Sequence, residues 1–139
     1  MIPDFVSDRE LAQNLCFCVA RIAAEYGLGY RDTAYSGLLA AEFLEEGMNC
    51  ISDPPANIYS DRGHLGQTKL HCLAVEKRCA ILVLSLRDDI QATDRAILQT
   101  YLRHLGFEWG LVVHFGKRDL KLRWVSAPSR SSPAPSLNL

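Results

Sequence analysis

Two apolar runs that refuse to alternate narrow the fold more than anything else in this chain. Cys79–Leu86 reads Cys-Ala-Ile-Leu-Val-Leu-Ser-Leu, and Trp109–Phe115 reads Trp-Gly-Leu-Val-Val-His-Phe. A strand with one wet face alternates apolar and polar side chains, so unbroken runs predict central strands covered on both faces. Between them Asp94, Ile97/Leu98, Tyr101 and Leu105 recur at three-to-four spacing. That spacing predicts a helix over about 92–105, closed by Gly106.

The remaining elements follow from local signals. Ser7-Asp8-Arg9-Glu10 reads as a capping box, and Leu11, Leu15, Cys18/Val19, Ile22 and Tyr26 extend a first helix over about 8–26. Gly27-Leu28-Gly29 ends it; Asp32 is placed to cap a second helix carrying Tyr35, Leu38/Leu39 and Phe43, with Gly47 as its stop. From Cys50 the period changes. Ala56–Ser60 predicts a short strand, and polar Asp61–Thr68, with Gly63 and Gly66, predicts a loop. Leu70–Val75, Glu76-Lys77-Arg78 and Cys79–Leu86 predict a hairpin. Lys117–Val125 alternates, with Leu120, Leu122 and Trp124 on one face and Lys121, Arg123 and Val125 on the other, so it predicts a half-exposed strand with a basic outer face. Ser126–Leu139 is rich in serine and proline and predicts a disordered tail behind a single domain over 1–125. The expected order is α-α-β-β-β-β-α-β-β, an α/β (α+β) domain with helices flanking a central mixed sheet.

Composition bounds what such a domain does. At 139 residues and 48% apolar the chain is one domain with a sizeable core. Fifteen Lys+Arg against sixteen Asp+Glu remove the basic excess that marks many nucleic-acid binders, leaving only local patches. No run is long enough to span a bilayer, and Met1-Ile2-Pro3-Asp4 has no basic or apolar leader, so a cytoplasmic protein with no membrane partner is expected. Cys16, Cys18, Cys50, Cys72 and Cys79 form no C-x-x-C, and the four histidines fall at no ligand spacing, so the cysteines are read as small hydrophobes and no structural zinc is expected.

Gly29-Tyr30-Arg31-Asp32-Thr33-Ala34-Tyr35 resembles the motif of the GxxExxY protein family, with Asp32 in place of Glu. Tyr59, Leu65-Gly66, Ala96, Tyr101-Leu102 and the closing Gly110–Gly116 stretch extend the resemblance over roughly 11–125. That family belongs to the PD-(D/E)XK nuclease-like superfamily, whose enzymes hold Mg²⁺ with an Asp on one hairpin strand and Glu-x-Lys on the next. A hard cation wants oxygen ligands, and hydrolysis wants a water of lowered pKa. Here the Asp position falls at Cys72 or Leu73, and Glu-x-Lys falls at Val83 and Ser85, or one residue earlier at Leu82 and Leu84. No acid lies between Glu76 and Asp88, and Ile97 replaces the family's glutamine. The resemblance therefore implies the scaffold without its catalytic motif.

The expected function is a non-catalytic nuclease-like binding module, with no cofactor, whose partner is a protein, a second copy of itself or a nucleic acid. The alternative is a Mg²⁺-dependent nuclease with a site relocated to Asp32, Glu76 or Asp88/Asp89, the last pair facing His71 across the hairpin. Gly29, Asp32 and Tyr35 are the motif residues: Gly29 for an unusual backbone conformation, Asp32 for a cap, Tyr35 for packing. Lys117, Arg118, Lys121 and Arg123 are the candidate phosphate contacts, or else the charges that protect a sheet edge. His114 carries no assigned chemistry.

Overall fold

A computed structural model describes residues 1–128. Three helices, α1 (Arg9–Tyr26), α2 (Asp32–Glu45) and α3 (Ala92–Leu105), accompany seven strands: β1 (Cys50–Ser52), β2 (Pro55–Ser60), β3 (Gly63–Lys69), β4 (Leu73–Val75), β5 (Cys79–Ser85), β6 (Trp109–Phe115) and β7 (Leu120–Ser126). The five-stranded sheet runs β1-β4-β5-β6-β7, while β2 and β3 form a separate antiparallel ribbon. Within the sheet only β5 and β6 pair in parallel, joined by α3 as the crossover. A parallel pair needs such a long connection.

The two non-alternating runs lie in the middle of the sheet, as expected. Their alternate residues serve two cores. Ile81, Val83, Leu111, Val113 and Phe115 pack with Leu15, Val19, Leu39 and Phe43 of α1 and α2. Ala80, Leu82, Leu84 and Val112 pack with Leu98 and Leu102 of α3. Gly110 marks the tightest approach: a Cβ there would stand 2.6 Å from the Ala80 carbonyl oxygen and 3.2 Å from Leu98 and Leu102. Only a residue without a side chain lets α3 lie this close.

Three expectations are corrected. The order gains a strand, α-α-β-β-β-β-β-α-β-β, because the stretch expected as a loop over 61–68 forms β3 and pairs with β2. No residue of β3 is buried, so no apolar face existed to write a period into the sequence; backbone hydrogen bonds make the ladder, and exposed polar side chains, Gln67 and His64 on Asn57, cross it. The cap of α1 is Asp8, not Ser7, with its carboxylate accepting the Leu11 amide at 3.0 Å. The cap position of α2 is Arg31, and Asp32 is the first helical residue.

The last strand extends to Ser126, one residue past the expected domain end, and the Ala127 amide donates to the Glu108 carbonyl oxygen at 2.8 Å. The tail expected to be disordered lies, from residue 129 on, outside the described residues. Among the described residues no helix is long and apolar enough to cross a membrane.

Candidate functional site

The cleft arises where the sheet runs out of partners. Along β5, the short β4 pairs only with Cys79, Ala80 and Ile81 at its start. Beyond that point Leu82–Ser85 have a strand neighbour on the β6 side alone. The gap left beside them is a cleft of about 560 Å³. Its floor is Cys72, Leu73, Leu82, Val83 and Leu84; α2 contributes Asp32, Thr33, Ser36 and Gly37, and α3 contributes Asp94, Ile97 and Tyr101. Ser52, Asp53, His71 and Arg87 complete the lining.

The residues expected from the motif divide between building the wall and facing the cleft. Gly29 has φ +116°, a conformation that side chains resist, and so turns the chain from α1 into α2. Tyr35 is fully buried; its hydroxyl donates to the Gly27 carbonyl oxygen at 2.7 Å, and its ring stacks on Phe115 with centroids 3.9 Å apart. It ties the α1–α2 turn to the end of β6. Asp32 faces the cleft, exposed, with Oδ1 accepting the Thr33 amide at 2.8 Å.

Cys72 and Val83, both singled out in the sequence, line the cleft and are buried, whereas Ser85 does not line it. Burial, with the charge of Asp53 and the neighbouring Cys50 thiol, pushes the Cys72 thiol up to about 12, so it stays protonated at neutral pH. Free thiols occupy all five cysteine positions; burial raises each of them. Among the described residues no three of His, Cys, Asp and Glu converge as a metal site would require.

The relocated groupings come apart in three dimensions. Glu76 and Lys77 form a left-handed turn, with φ +57° and +54°, and Glu76 accepts the Asn49 amide at 3.0 Å. His71 stands 3.6 Å from Asp53 rather than beside Asp88 or Asp89. Asp88 pairs instead with Lys117 at 3.5 Å, and Asp89 with Lys121 at 3.2 Å. The Ile90 amide and Lys121 hold the Asp89 carboxyl below its ordinary value.

Those pairs bear on the basic cluster. Lys117, Arg118 and Lys121 do gather round a hollow of about 600 Å³, but Asp88 and Asp119 line it too. Arg118 and Arg123 are exposed, and β7 is an edge strand of the sheet. Val125, expected on the outer face with Lys121 and Arg123, is buried in the core under α3.

Two features escaped the sequence reading. Arg87 Nη1 meets Asp94 Oδ1 at 2.7 Å at the cleft, and the almost wholly buried Asp94 also accepts the Gln91 amide at 2.8 Å as half of a capping box. An acid on the apolar stripe of α3, three residues after the cap position, was the available signal. His114 is fully buried on β6, with neither ring nitrogen hydrogen-bonded among the described residues. Burial, then Lys121 and Arg87, lower its proton affinity.

A mixed sheet with a parallel central pair, flanked by helices and open to a cleft beside its truncated hairpin, defines a nuclease-like α/β domain. The chain belongs to the PD-(D/E)XK nuclease superfamily, whose family model matches residues 9–126. Among solved structures, the crystal structure of SSO0001 superposes with a TM-score of 0.56 at 14% identity, covering 90% of this chain and 69% of that one. At that identity the likeness concerns the fold. No curated protein matches the sequence.

Proposed function

We propose that this nuclease-like domain acts by binding and not by hydrolysis, its metal-holding motif having degenerated within a GxxExxY-type chain. The observation that carries this reading is the floor of the cleft. Where the resemblance puts an Asp, the cleft presents Cys72 or Leu73, and where it puts Glu-x-Lys the chain has Val83 and Ser85, or Leu82 and Leu84 one residue earlier. A hard divalent ion needs several oxygen ligands. A protonated thiol and a valine offer none, so the residues present do not fit Mg²⁺, and no hydrolytic step is routed through it. Asp32 remains as a single carboxylate.

The partner is a protein, a second copy of this chain or a nucleic acid, and electrostatics ranks them. Lys117 and Lys121 are already engaged by Asp88 and Asp89. The cleft itself is lined by three aspartates against one arginine. Both facts weigh against a phosphate backbone and towards a protein partner. The test is a calorimetric titration with Mg²⁺ and Mn²⁺ alongside a cleavage assay on single- and double-stranded DNA. Silence in both is expected; saturable metal binding with cleavage would restore the alternative, a metal-dependent nuclease.

A further inference from the structure

We propose that the cleft between α2 and α3 takes an organic cation on an aliphatic stem, namely a lysine or arginine side chain of a partner protein, with Asp32 and Asp53 receiving the charge and the apolar floor receiving the stem. This rests on the non-catalytic reading above and names the chemistry of its partner.

Charge selects the ligand's head. Of the ionisable groups lining the cleft, Arg87 is held by Asp94 at 2.7 Å, and that pair neutralises itself. Asp53 has only the His71 imidazole beside it, at 3.6 Å, and Asp32 makes no ion pair among the described residues. Two exposed carboxylates are therefore left without a fixed cation at the mouth of a concave site, where a field of one sign is focused. An anion is repelled there and a cation drawn in. The site has kept the sign of charge that suits a metal while losing the ligand number that a metal demands.

The floor selects the stem. Leu82 and Leu84 line the cleft from the α3 side of β5, with Ile97, and Val83 lines it from the α2 side; a lysine or arginine readily lays its methylenes along such a surface while its head stays at the polar rim. The volume, about 560 Å³, lies within the range of sites that hold small ligands.

The backbone yields to keep the cleft open. Gly37 lies inside α2, where glycine weakens a helix relative to alanine, yet a Cβ there would meet no atom within 4 Å. Packing thus gives no reason for glycine; lining the cleft does.

The test is an NMR titration of the full chain with four capped tripeptides, Gly-Lys-Gly, Gly-Arg-Gly, Gly-norleucine-Gly and Gly-Glu-Gly, with Mg²⁺ alone titrated in parallel. The lysine or the arginine peptide, at millimolar concentration, should shift amides of Asp32–Gly37 and Ile97–Tyr101. The norleucine peptide, which keeps the four-carbon stem and lacks the ammonium head, should bind about fivefold more weakly, and the glutamate peptide not at all. The double variant Asp32→Asn/Asp53→Asn should lose about fivefold for the lysine peptide, and that loss should shrink at high salt. Gly37→Leu should fill the cleft and abolish binding while keeping the dispersed spectrum of the folded chain. Equal binding of the lysine and norleucine peptides, shifts mapping to another surface, or no shifts with any peptide would each overturn the inference. Silent peptides with silent Mg²⁺ would remove it and leave the non-catalytic reading standing. Cleft shifts with Mg²⁺ accompanied by DNA cleavage would remove both.

Discussion

The β5–β6 pair and the β2–β3 ribbon are built from the same ladder chemistry, seven paired positions in one and six in the other. They differ in what covers them. Every residue of β6 is buried, and in β5 only Ser85 is less than buried. The ribbon buries Ala56 alone, and Tyr59 and Leu65 remain more than half exposed. A backbone hydrogen bond exchanged with water nets only about 1 kcal/mol, whereas burying a leucine- or valine-sized side chain contributes about 1.5–3 kcal/mol. Stability therefore resides in the doubly covered pair, and the ribbon follows from it.

The sharpest way to break this comparison is to insert a side chain between β6 and α3. Gly110→Val would drive its Cβ into the Ala80 carbonyl, 2.6 Å away, and should cost about 3 kcal/mol or more by urea denaturation. A loss below about 1 kcal/mol would mean that the central pair tolerates separation from its helix. Tyr35→Phe comes next. It keeps the stack on Phe115 but deletes the hydroxyl bonded to Gly27, leaving that carbonyl without its donor, and should cost about 1–2 kcal/mol in the same measurement.

The third effect is a pH dependence to which His114 of the central pair contributes. Burial lowers the folded proton affinity of His114 below its ordinary value, and Lys121 and Arg87 add to the shift. The unfolded chain then binds the proton more readily, so stability falls as pH drops below about 6.5 and does not depend on this group above it. His104 shifts in the same direction, again mainly by burial. Denaturation midpoints between about pH 5 and 8 should show the decline in the native chain. His114→Leu should remove part of it and leave the share of His104; an unchanged slope would show that His114 titrates normally. The smallest effect belongs to the ribbon: Tyr59→Ser and Leu65→Ser should each fall within about 0.5 kcal/mol of the native chain. A larger loss would show that something covers the ribbon.

The same difference governs what could be read in advance. The apolar runs of β5 and β6 and the stripe of α3 were legible because burial leaves a period in the residues themselves. The α3 boundaries agree with that reading, Ala92–Leu105 before Gly106. The ribbon leaves no such mark, and the sequence over 61–68 predicts a loop where β3 forms. At the cleft, the family resemblance singles out Asp32, Cys72 and Val83 one by one. Their company is not visible there: Arg87 and Asp94, 55 and 62 residues after Asp32, reach the same cleft only where the chain passes from β5 into α3.

By itself, then, the sequence determined which segments must be covered on two faces, which helix lies between them, and that no acid occupies the second hairpin strand. Those are properties of short windows, because solvent exclusion acts on each residue along its own element. Tertiary structure alone decided where β4 stops pairing with β5, which opens the cleft. It also decided that Lys117 and Lys121 meet Asp88 and Asp89, that Arg87 neutralises Asp94, and that His114 ends up buried without a hydrogen-bonding partner among the described residues. Ion pairs and cavities depend on distances between elements, and such distances are set only when the register and the crossover bring separate windows together.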